Sequence, residues 1–145
     1  AFYDKEDYKN ALIIYRRALE LEPNNAKIHC NLGYLYWGMG ELSEAIKEYE
    51  LSIKYDVGYA IAHNNLGVIY LDDLAHIQKA SDCFRAAISA NPNYALAYYN
   101  LARALSIKGE KVEAAKFFQI AYDINSITNE IDPAEIQDRL NNLFE

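Results

Sequence analysis

The apolar positions of this chain recur at spacings of three and four, which places them on one face of a helix rather than on a strand. Leu32, Gly33 and Tyr36 fall on one such face, and Ala45, Tyr49 and Ser52 on another. Three prolines and six glycines among 145 residues leave little loop punctuation. The pattern predicts helices near residues 9–21, 26–38, 43–55, 60–72, 78–90, 95–107, 111–124 and 133–143, and no sheet.

The pattern then repeats. Ala26–Tyr59, Ala60–Tyr94 and Ala95–Thr128 are units of 34, 35 and 34 residues, and a fixed period of this length marks a stacked array. Leu32, Gly33 and Tyr36 return as Leu66, Gly67 and Tyr70, then as Leu101, Ala102 and Leu105. Ala45, Tyr49 and Ser52 return as Ala80, Phe84 and Ala87, then as Ala114, Phe118 and Ala121. Each unit reads as two antiparallel helices. The small residue Gly33, Gly67 or Ala102 lets the first helix approach Ala45, Ala80 or Ala114 of the second, and the aromatic one turn later fills the gap.

These landmarks, small-Leu-Gly-Tyr followed by Ala-Phe-Ala-Pro, resemble the tetratricopeptide repeat (TPR) family, whose unit is a helix–turn–helix. Ala11, Tyr15, Ala18 and Pro23 fit the second-helix slots of an upstream half-unit, with Phe2 in the slot of Tyr36. The resemblance implies an all-α fold, a right-handed superhelical stack of antiparallel helix pairs. Residues 1–25 would be the second helix of an incomplete first repeat, 26–59, 60–94 and 95–128 three repeats, and 129–145 a capping helix. The cap begins at Asp132-Pro133-Ala134-Glu135, an N-cap followed by proline in the first turn, and carries the apolar stripe Ile136, Leu140 and Leu143. Two departures stand out. Val57 and Ser126 replace the turn proline, predicting less rigid junctions, and the middle unit has one extra residue within Asp72–Ile77 and no turn glycine.

Composition narrows the function. A net charge of −7, with 14 basic residues scattered along the chain, argues against a nucleic-acid partner. No apolar run reaches the roughly 18 residues of a membrane span, and Ala1-Phe2-Tyr3-Asp4-Lys5 is not a secretory signal. A first residue other than Met predicts a fragment. Cys30 and Cys83, 53 residues apart, read as reduced thiols of a cytoplasmic protein. Thirteen tyrosines suit rings stacked between helices with hydroxyls near water.

No catalytic motif is present, so the chain reads as a non-enzyme without cofactor or metal. His29 and His63 hold equivalent slots that pack a ring, and no third ligand sits at helical spacing from the His29-Cys30 pair. In the TPR family, the residue before the landmark Leu faces the inner groove. Here that residue is Asn31, Asn65 and Asn100. Such asparagine ladders hold peptide backbone in TPR proteins, including the repeats of O-linked N-acetylglucosamine transferases; the alternative is that the amides tie down neighbouring side chains. Further groove positions would be Lys27, Tyr34, Trp37, Asn64, Val68, Tyr99 and Arg103, with Cys30, Ile61, Leu71 and Leu96. Glu41, Glu44, Glu48 and Glu50 belong to a solvated outer face.

The resemblance thus implies a scaffold that binds a protein or peptide partner, an extended or helical segment with apolar side chains and a carboxylate opposite Arg103. The two-carboxylate clamp of chaperone-binding TPR domains would fall on Cys30, Tyr34, Asn65, Leu96 and Asn100, and only Asn65 agrees. The competing reading is self-association, a homodimer through the half repeat with its Phe2, Tyr3, Leu12 and Ile13. A third is the targeting arm of a larger enzyme.

Overall fold

The computed structural model describes residues 4–145, and Phe2 and Tyr3 lie outside them. The described residues are all helical, without a strand. The elements are α1 (Lys5–Leu21), α2 (Ala26–Gly38), α3 (Leu42–Tyr55), α4 (Ala60–Val68), a π-helical turn (Ile69–Asp73), α5 (Ile77–Ala90), α6 (Ala95–Lys108), α7 (Lys111–Thr128) and α8 (Pro133–Asn142). Helices α2 and α3, α4 and α5, and α6 and α7 pack as hairpins, which stack through α3 on α4 and α5 on α6. At the ends, α1 packs on α2 and α8 on α7.

The repeated apolar positions form the core. Ala45, Ala80, Ala87, Ala114 and Ala121 are fully buried, with Tyr49, Phe84 and Phe118 beside them. Burying one such ring stabilises the fold by roughly 2–3 kcal/mol. The small residues of the first helices work differently from the sequence expectation. A Cβ on Gly67 would lie 2.6 Å from the Phe84 ring, and one on Gly33 3.0 Å from Tyr49. The glycines therefore make room for the aromatic ring rather than for Ala80 or for the Ala45 side chain.

Two helix boundaries moved for local reasons. Asp4 accepts from the backbone N–H of Glu6 and Asp7, both at 2.9 Å, which starts α1 four residues early. Helix α7 runs through Ser126, which retains the N–H that proline lacks, and ends at left-handed Asn129. In α8, Asp132 caps Ala134 N–H at 3.0 Å, and Ile136 and Leu143 are buried. The turn at Val57 matches the one at Pro92. Gly58 N–H donates to Asp56 Oδ1 at 3.0 Å and Asn93 N–H to Asn91 Oδ1 at 3.1 Å, so an Asx turn sets both junctions.

The extra residue of the middle unit is absorbed inside the helix. In the flanking hairpins, Gly40 (φ +79°) and Gly109 (φ +86°) reverse the chain. There the N–H of Glu41 closes on Tyr36 O and that of Glu110 on Leu105 O, each at 2.9 Å. The middle hairpin closes with His76 N–H on Tyr70 O at 2.7 Å, one residue longer, and Ala75 takes the left-handed position at φ +53°. Leu74 N–H reaches Ile69 O at 3.2 Å, the five-residue bond of a π turn. A non-glycine residue in that backbone region costs about 1–2 kcal/mol.

Candidate functional site

The expected groove positions lie on α2, α4, the π turn and α6, and the structure divides them. Asn31 and Asn65 are half-buried, whereas Asn100 is 3% exposed. The Asn100 amide donates to Asn64 Oδ1 at 3.0 Å and accepts from Arg103 Nη1 at 3.1 Å. Asn100 thus ties down neighbouring side chains. Asn64, expected to contact a partner, is buried instead, and its Nδ2 has no partner.

Arg103 is not a free cation. Its Nη2 donates to Asp72 Oδ1 at 2.7 Å, so the charge expected to meet a ligand carboxylate already meets one of the chain's own. Tyr99 does not line an open groove either. It is 4% exposed and its hydroxyl donates to Glu135, because α8 lies over it; desolvation, then the Glu135 contact, pushes its hydroxyl pKa up.

The open part of the surface lies nearer α2. Tyr34 is 55% exposed and meets Trp37 edge-on, with ring centroids 6.2 Å apart. The half-buried Trp37 donates from Nε1 to Asp73 Oδ2 at 3.0 Å. Val68 is half-buried, while Lys27 and Ile61 are exposed. Asp73 is the member that sequence reasoning missed. The signal for it was the one-residue insertion, read there as a loop irregularity.

The ring slot at the start of each first helix has a use beyond packing. His29 Nε2 bonds Pro23 O at 2.8 Å, His63 Nε2 bonds Val57 O at 2.8 Å, and Tyr98 OH bonds Pro92 O at 3.0 Å. A ring with a donor at its far end pins the turn six residues upstream. Glu48, expected on the solvated outer face, is buried at 9% exposure and holds His29 Nδ1 at 2.7 Å. Paired burial explains the exception, since a buried carboxylate needs a partner.

Among the described residues, no group of three or more His, Cys, Asp or Glu side chains could hold a metal ion. Burial pushes the Cys30 thiol up to about 12 and, with Asp82 and Glu50 adding to it, the Cys83 thiol up to about 11. Both are poor nucleophiles. Among the described residues, no helix is long and apolar enough to cross a membrane.

Family models described as TPR repeat and tetratricopeptide repeat match residues 1–40, and residues 26–56, 60–94 and 83–116. The chain belongs to the tetratricopeptide repeat family, and its fold is the TPR α-solenoid. It is 38% identical over 69 residues to the TPR repeat-containing thioredoxin TTL4 of Arabidopsis thaliana, covering 48% of this chain and 10% of that protein. It spans between 6% and 24% of the length of this and the next curated relatives. The crystal structure of MamA superposes with a TM-score of 0.73 at 25% identity, covering 99% of this chain and 92% of that one. The first TPR of Spaghetti (RPAP3), bound to the HSP90 peptide SRMEEVD, superposes with a TM-score of 0.74 at 19% identity, covering 83% and 90%. That second likeness is one of fold alone.

Proposed function

We propose that the chain is a protein–protein interaction module that holds an extended segment of a partner along the inner surface of α2, α4 and α6, without turnover. The observation that carries this is the exposed Tyr34 packed edge-on against the half-buried Trp37, on the same groove positions as the half-buried Asn31, Asn65 and Val68. Peptide binding by the TPR of Spaghetti (RPAP3) is consistent with it. In this reading the repeats are 26–59, 60–94 and 95–128, residues 1–25 are the second helix of a half repeat, and 129–145 cap the stack.

The asparagine ladder then has two working rungs, Asn31 and Asn65, while Asn100 braces Arg103 and Asn64. Each rung adds a net hydrogen bond on the order of 1 kcal/mol. The test is selection of a random nonapeptide library displayed on phage, followed by titration of the recovered peptides. Asn31→Ala or Asn65→Ala should each weaken binding several-fold, and the double variant about tenfold or more. Full affinity in a folded double variant contradicts the ladder. Asn100→Ala is unsuitable, because it also leaves the buried Asn64 amide without its partner.

A second reading concerns α1, which has no fully buried residue. Ala11, Tyr15 and Ala18 are half-buried, whereas their counterparts Ala45, Tyr49 and Ser52 are fully buried on α3, which packs on both α2 and α4. Ile13 and Ile14 are 51% and 64% exposed. A second copy covering this face would make a homodimer. Sedimentation at rising concentration should then show a monomer–dimer equilibrium that Tyr15→Glu abolishes. A monomer at all concentrations contradicts this reading.

A further inference from the structure

The inserted residue of the middle unit does more than lengthen a hairpin. The π turn carries two consecutive carboxylates that reach opposite neighbours. Asp72 goes forward to Arg103 on α6 at 2.7 Å, and Asp73 goes back to Trp37 on α2 at 3.0 Å. Asp72 and Arg103 cancel. Among the described residues, Asp73 forms no ion pair, so the strip between α2 and the π turn keeps one uncompensated negative charge beside two aromatic rings.

We propose that Tyr34, Trp37 and Asp73 form a subsite for a cationic side chain, lysine or arginine, of the extended protein segment held by the inner surface. The inference rests on the groove reading and gives its partner a charge. A ring face is the negative pole of an aromatic quadrupole and attracts a cation within about 6 Å of its centroid. The Asp73 bond fixes the indole by its edge, and the Tyr34 ring beside it is 55% exposed. Lys27, the other exposed charge on α2's groove positions, lies about two helical turns before Tyr34. The net charge of −7 adds long-range attraction for a basic segment and repulsion for an acidic one. An acidic segment would also find Arg103 already occupied. The polarity is the reverse of the sequence expectation of a ligand carboxylate.

The test uses the randomised phage-displayed nonapeptides on the full chain and on Asp73→Lys, with far-UV circular dichroism to establish that the variant is folded. Trp37 is the only tryptophan, so its fluorescence reports binding at this place. Peptides enriched on the wild type should carry lysine or arginine at one fixed position and shift Trp37 emission. Replacing that residue by glutamate should weaken binding about tenfold. Asp73→Lys should enrich aspartate or glutamate there, and the isosteric Asp73→Asn should abolish the preference.

Enriched peptides with no basic position, or an unchanged preference in Asp73→Lys, would overturn the subsite. If such peptides still lose affinity in Asn31→Ala/Asn65→Ala, the groove reading stands without it. If the library yields no binder, both readings fail.

Discussion

The middle hairpin and the two that flank it build the same turn from different materials. The outer two reverse at Gly40 and Gly109, residues free to adopt positive φ. The middle one reverses at Ala75 and takes up its extra residue as a π turn. The same positions fill the core beneath, with Ala80 and Phe84 as completely buried as Ala45 and Tyr49. An insertion inside the helix end therefore spares the core and spends its effect on the inner surface, where it sets Asp72 and Asp73 against α6 and α2. The same residue count placed in a surface loop would change neither.

The largest expected difference between the hairpins lies at the buried glycines. Gly67→Ala should destabilise by roughly 2–3 kcal/mol and Gly33→Ala by about 1 kcal/mol. The ordering follows from the clearances of 2.6 Å and 3.0 Å to the facing rings. Urea denaturation of the two variants checks it, and equal losses would mean that the hairpins are packed alike.

Next in size is the closure of the α7–α8 junction. Asn125 donates to Ile131 O at 2.7 Å and accepts from Glu130 N–H and Ile131 N–H, each at 2.8 Å. Asn125→Ala should cost about 2 kcal/mol, since it leaves buried backbone groups unpaired. Amide hydrogen exchange should speed up first in α8, ahead of α2 and α3.

The left-handed positions give a smaller effect of opposite sign. Ala75→Gly should stabilise by about 0.5–1 kcal/mol, while Gly40→Ala and Gly109→Ala should each destabilise by about 1 kcal/mol. Calorimetric melting of the three variants reads both signs directly.

The smallest effect is chemical. With thiol pKa values raised to about 12 and about 11, Cys30 and Cys83 remain protonated at pH 8 in the native chain. Disulfide-exchange labelling should be slow until denaturant unfolds the protein, and Cys83, half-buried, should react before Cys30.

What could be read from the sequence was set by local sterics repeated three times. A ring such as Phe84 needs a hole opposite it, so Gly67 and Ala80 recur in phase with it and betray the hairpin. The helix ends were read less well, because Asp4 and Ser126 act through single caps and single N–H groups. The inner surface was legible only as a set of positions. Its pairings depend on which side chain reaches which helix, and no spacing rule says that Asn100 turns to Asn64 or that Asp72 takes Arg103. Glu48 was misplaced for the same reason: its partner, His29, is on another helix.

The central claim is that binding happens on the inner surface rather than on the outer one. Its most direct measurement is an NMR titration of the isotope-labelled chain with a peptide recovered from the library, following every backbone amide and the Trp37 indole. The account predicts shifts confined to α2, α4, the π turn and α6, strongest at Tyr34, Trp37, Asn65 and Asp73. Shifts concentrated instead on the exposed faces of α3, α5 and α7 would contradict it.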